Sequence, residues 1–99
     1  MPEKAVRLNR ELLRYRASLV KIQTRVKNKI HTILAKNNVS HSYTDLFGKQ
    51  GMAFLYSLTL VENYKIALEG YISVLDAVRQ EIRVASKKVQ QLAEDNQPS

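Results

Sequence analysis

The side chains with the most chemical potential in this sequence are cations crowded into its first third. Residues 3–36 hold ten of the sixteen basic residues and only two acids, Glu3 and Glu11, a local surplus of eight positive charges in a 99-residue chain of net charge +7. The remaining two thirds are close to neutral. Guanidinium and ammonium groups in such density hold phosphates, so a polyanion is the expected partner. Little else offers chemistry. Asp45, Glu62, Asp76 and Asp95 form no pair at the one-turn spacing that metal binding or acid–base work requires, and the serines lack a nucleophile context. Cysteine is absent, and His31 and His41 stand far from any acidic cluster, so no zinc site is expected. No glycine-rich phosphate loop is present. The sequence therefore reads as a binding and association module with no catalytic residue, no metal ligand and no cofactor of its own.

These cations need a helix to align them. Leu8, Leu12, Tyr15, Leu19, Ile22, Val26 and Ile33 recur at alternating steps of four and three, with Lys29 in one core slot and Ile30 beside it. This predicts a coiled-coil helix over about 5–36 with a local slip. Leu68, Tyr71, Leu75, Val78, Ile82, Ala85, Val89 and Leu92 predict a second over about 60–94, started by Thr59 and Glu62 at capping-box spacing and ended by a polar tail with Pro98. Between them, 37–58 reads as a linker: Asn37 and Asn38 stop the first helix, Gly48 and Gly51 break the chain, and short helices fit Thr44–Phe47 and Met52–Leu58. Gly70, inside the second helix, predicts a close helix contact or a bend.

One all-α domain over 1–99 follows, a long antiparallel helical hairpin about 40 Å in length at 1.5 Å per residue. The apolar arc is wider than a hairpin needs, with Leu13, Val20 and Leu34 on one flank and Ile22 on the other. A homodimer closing into a helical bundle is the expectation, with Leu12, Tyr15, Leu19, Ile22 and Val26 of the first helix and Tyr71, Leu75, Val78, Ile82 and Val89 of the second as its seam. In the alternative, Met52, Phe54, Leu55 and Leu58 fold back over the flank and complete a monomeric core. No apolar run is long enough to span a membrane and no charged-then-apolar leader opens the chain, so a soluble, cytoplasmic protein is expected, without a membrane or small-molecule partner.

Helical phasing sorts the charges. With Leu12 at zero the seam centres near about −40°, and Arg7, Arg10, Arg14, Lys21, Arg25, Asn28 and Lys36 fall on the opposite side, with Lys29 flanking them. From Arg7 to Arg25 this ladder is about 27 Å long, enough to follow several phosphates of DNA or RNA without reading their sequence. A solvated helix normally mixes both signs, as the second one does with Glu62, Lys65, Glu69, Asp76, Arg83, Lys87 and Glu94. Arg16 and Lys27 fall at the edge of the apolar arc, where they snorkel over the core or pair with an acid such as Glu81. Tyr15 and Tyr71 read as core; Tyr56 and Tyr64 fit either core or base stacking.

The stretch Leu12–Leu34, LLRYRASLVKIQTRVKNKIHTIL, is followed by DLFGKQGMAFLYSLTL from Asp45 to Leu60 and by a heptad helix ending in QLAEDN. This order resembles the middle segment of transposases of the insertion sequence 110 family, the group that includes the pilin-gene invertase, over roughly Leu8 to Asn96. Arg14, Arg16, Leu19, Val20, Thr24, Lys27, Asn28, Ile30, His31 and Leu34 carry it, with Asp45-Leu46-Phe47-Gly48 as a second anchor; Val61 departs from the proline-like break expected there. The resemblance implies a bacterial DNA recombinase three to four times as long. Its amino-terminal domain would hold divalent metal on an acidic tetrad, its carboxy-terminal domain would supply a serine nucleophile, and an element-encoded RNA would guide it. On that reading this chain is the coiled-coil piece between the two, without catalytic residues. Three roles stay open: a dimerising segment that grips nucleic acid, a purely structural dimerisation module, or a truncated transposase acting as a regulator.

Overall fold

A computed structural model of the chain describes residues 3–95. It contains three helices, α1 (Glu3–Lys36), α2 (Lys49–Ser57) and α3 (Glu62–Asp95), and no strand among the described residues. α1 and α3 run antiparallel along the length of a rod measuring 57 × 22 × 16 Å. The all-α hairpin expected from the two heptad patterns is therefore the architecture. It exceeds the expected length because both long helices are 34 residues. The ending expected at Pro98 lies outside the described residues.

α1 stops where its sequence offers a left-handed residue. Asn38 takes φ 55°, Asn38 N–H donates to Ala35 O and Val39 N–H to Leu34 O, and the Asn37 side chain donates to Ile33 O at 2.7 Å. This is a Schellman ending with asparagine in the glycine position, completed by Val39 packing against the cluster that contains Leu34. Asp45 to Gly48 then forms a turn, closed by the Gly48 N–H on Asp45 O, rather than the short helix expected over Thr44–Phe47. α2 begins at Lys49 and docks so closely that a Cβ on Gly51 would sit 1.9 Å from the Leu46 carbonyl oxygen. Glycine is required there by the approach of two backbones. α3 starts at Glu62 with its first bond from Lys65 N–H to Val61 O, so Thr59 lies outside the helix and does not form the expected capping box. Glu62 instead opens α3 as an acid in the first turn, favourable to the helix dipole. Gly70 makes no close helix contact: α3 continues through it, and a Cβ there would meet nothing within 4 Å.

The core is concentrated at the linker end. Ile30, Ile33 and Leu34 of α1 and Leu68, Ile72 and Leu75 of α3 bury against Leu46 and Phe47 of the turn and Leu55 of α2. Met52, Phe54 and Leu58 pack at its margin, so the linker does fold back over one flank of the hairpin. Arg79 Nη1 ties the turn down by donating to Phe47 O at 2.7 Å, and Lys65 Nζ donates to Tyr56 O and Leu58 O at the end of α2. That ammonium satisfies carbonyls which the helix leaves without partners.

Covering this flank rotates α1. Its inward positions run Leu12, Arg16, Leu19, Gln23, Val26, Ile30 and Ile33, a regular heptad seam turned by about 35° from the all-apolar pattern. Leu19, Val26, Leu75 and Val78 of the expected seam are buried, and Leu12, Tyr71, Ile82 and Val89 are half-buried. Tyr15 and Ile22, at 45 % and 40 % exposure, lie outside the core of the single hairpin, because α1 turns Ile30 and Leu34 toward the linker. Towards the open end of the hairpin the apolar packing thins to Leu19, Val78, Ala85 and Ile82.

Candidate nucleic-acid interface

Because the packed seam occupies one side of α1, its opposite side is left to water over the described side chains from Arg7 to Lys36. Arg7, Arg10, Arg14, Lys21, Arg25, Asn28, Lys29 and Lys36 are all exposed. Their spacing of three, four or seven residues keeps them in one band, and the rotation of the seam moves that band further from the core. Arg14 Nη1 lies 3.3 Å from Glu11 Oε1, an exposed pair of little energetic consequence that leaves the guanidinium at the surface. Among the described residues no acid lies within ion-pair distance of Arg10, Lys21, Arg25, Lys29 or Lys36. Two shallow hollows interrupt the band, one lined by Arg7, Arg10, Glu11 and Arg14 and the other by Val20, Lys21, Thr24, Arg25 and Asn28. Thr24 spends its hydroxyl on Val20 O inside its own helix.

The remaining cations of α1 behave differently. Arg16 points into the seam and donates from Nε to Ser86 Oγ at 2.8 Å, a contact between half-buried partners on α1 and α3. Glu81, one acid that Arg16 or Lys27 could have paired with, accepts from the Tyr15 hydroxyl at 3.4 Å. Lys27 lays its Nζ 5.3 Å from the centroid of the Phe47 ring, a cation–π contact above the buried turn. Charge density on α1 is thus divided between a solvent-facing band and two side chains that hold the fold.

Beyond the band, an aromatic group that sequence spacing does not reveal gathers at the linker. His31 meets Phe47 edge-on at 5.4 Å, His41 stacks with Tyr43 at 6.2 Å, and Tyr43 lies 5.2 Å from Phe54. His31, His41 and Tyr43 are exposed. The only hint in the sequence is the density of rings around the turn, since His31 precedes the others by ten residues or more. Tyr56 and Tyr64 are exposed as well and stand outside these ring contacts.

No group of three or more His, Cys, Asp or Glu residues able to hold a metal ion occurs among the described residues, and no described helix is long and apolar enough to cross a membrane. No family model matches the chain, and neither the curated proteins nor the solved structures contain a match to it.

Proposed function

We propose that the hairpin is a nucleic-acid grip: α1 lies along a sugar-phosphate backbone through Arg7, Arg10, Arg14, Lys21, Arg25, Asn28, Lys29 and Lys36. The observation that carries this reading is the position of these eight residues, all exposed in one band opposite the packed seam and without an interleaved acidic row. Contacts of this kind fix position and register and leave sequence unread. With Arg14, Lys21 and Arg25 changed together to Glu, affinity for a mixed-sequence DNA or RNA, followed by fluorescence anisotropy at low salt, should fall at least a hundredfold while the helical circular dichroism is unchanged. Wild-type affinity in a folded triple variant contradicts the assignment.

The same molecule is a candidate for self-association, and a second observation favours it. One flank of the hairpin is closed by α2; the other keeps Leu8, Tyr15, Ile22 and Val74 exposed beside the half-buried Leu12 and Val89. A two-helix rod with so little packing at its open end gains most by covering that flank with a second copy. Together with the resemblance of its basic helix and Asp45–Gly48 turn to transposases of the insertion sequence 110 family, this gives the reading in full: the dimerising, nucleic-acid-holding coiled-coil segment of a cytoplasmic DNA recombinase whose metal and nucleophile reside in other domains. Coding sequence for an acidic metal-binding domain before this segment and a serine domain after it supports the recombinase part; its absence on both sides removes that part alone.

A further inference from the structure

The aromatic group at the linker lies at the edge of the basic band. His31 follows Asn28 by three residues and Lys27 by four, so it sits on the next turn of α1, with Lys27 Nζ already over the Phe47 ring. Five rings are linked in sequence, from Phe47 through His31, His41 and Tyr43 to Phe54, at centroid spacings of 5.2–6.5 Å. The inner two, Phe47 and Phe54, are packed against the core and anchor the group. The outer three are exposed, and the His41 and Tyr43 planes lie within 28° of each other. A hydrogen bond from the Tyr43 N–H to His41 Nδ1 at 3.2 Å fixes the orientation of the outer pair.

Rings used only to close a loop would turn their faces inward, where burial stabilises them. Here the polar-edged rings stay in water and the apolar ones support them. Exposed rings clustered at the end of the basic band, one turn from Asn28, match the chemistry of an unpaired nucleobase, whose face stacks while its phosphates meet the cations of the band. A duplex, with its bases stacked on one another, presents no such face. We propose that His31, His41 and Tyr43 form a stacking platform for unpaired bases of RNA or DNA whose backbone is held along α1. This rests on the grip proposed above and adds to it a preference for single-stranded or looped nucleic acid.

The test compares wild-type protein with His41→Ala, Tyr43→Leu and Tyr43→Phe in binding to a mixed-sequence single-stranded RNA, the corresponding single-stranded DNA, the DNA duplex and inorganic polyphosphate, which carries phosphates without bases. His41→Ala and Tyr43→Leu should each weaken binding of single strands by about tenfold, within the range measured for base–aromatic stacking, and leave duplex and polyphosphate affinity within about twofold. Tyr43→Phe, which keeps the ring, should bind as the wild type does. A loss confined to RNA or to DNA identifies which of the two supplies the bases. Single-strand affinities unchanged in folded His41→Ala and Tyr43→Leu overturn the platform. The charge-reversed Arg14, Lys21 and Arg25 variant separates the two ideas: if it loses every ligand while the ring variants lose none, the grip stands and the platform fails, and if it binds as the wild type does, the grip itself fails.

Discussion

Arg14 and Arg16 are two residues apart and point to opposite fates. Two residues turn an α-helix by about 200°, so one guanidinium meets water beside Glu11 while the other enters the seam and reaches Ser86. Composition counts them alike; phase separates them, and the place of Arg16 at the edge of the apolar arc follows from helical phase alone. The identity of its partner does not, because Ser86 is far along the chain and the register between α1 and α3 is set by the linker. Arg16→Ala should therefore cost about 1–2 kcal/mol of unfolding free energy, the usual worth of a hydrogen bond from a charged donor together with its packed stem, and leave nucleic-acid affinity within about twofold. Arg25→Ala should do the reverse, weakening binding by several-fold without moving the urea midpoint. Equal effects of the two substitutions on affinity would show that the band extends around the helix.

At the scale of elements, α2 decides how the long helices face. It is nine residues long and too short to be stable alone, yet it rotates α1 by placing Leu55 in the same buried cluster as Ile30, Leu34 and Leu68. The docking depends on Gly51, whose missing Cβ admits the Leu46 carbonyl. Gly51→Ala should destabilise the fold by about 2 kcal/mol or more, despite the better helix propensity of alanine, because the overlap is with backbone that cannot swing aside; an unchanged or raised melting temperature would mean that α2 sits elsewhere. The two long helices are legible from heptad spacing over more than three turns each, and Asn37 with Asn38 marks the end of the first. What the spacing does not separate is the seam within the hairpin from the exposed flank, where Tyr15 and Ile22 lie although they are apolar at the right intervals. The actual seam runs through Arg16 and Gln23, polar residues that a pattern of hydrophobics passes over. The Thr59–Glu62 pair likewise has the spacing of a capping box, but Lys65 draws the start of α3 onward by binding the end of α2.

The whole molecule is a rod with a firm end and a thin end. Buried apolar side chains crowd the linker, whereas toward the opposite end the described residues below the surface are Leu19, Val78 and Ala85. An isolated pair of helices packed so lightly is marginal, and a second copy laid on the open flank would supply the missing burial. Tyr15→Glu combined with Ile22→Glu should convert a dimer to a monomer in sedimentation, lower the melting temperature and remove its dependence on protein concentration; a monomer already present in the wild type at tens of micromolar would remove the dimer from the account. The placement of charge is what connects this rod to the proposed grip, since the basic band runs along the outer face of α1 at both the thin and the firm end. The salt dependence of binding tests that connection most directly. If the band holds phosphates, log affinity should fall linearly with log salt, and Arg14→Ala, Lys21→Ala and Arg25→Ala together should reduce the magnitude of that slope by about 2–3, since each lost phosphate contact contributes about 0.7–0.9. A slope unchanged by the triple substitution would contradict it, because the phosphates would then be held by some other surface.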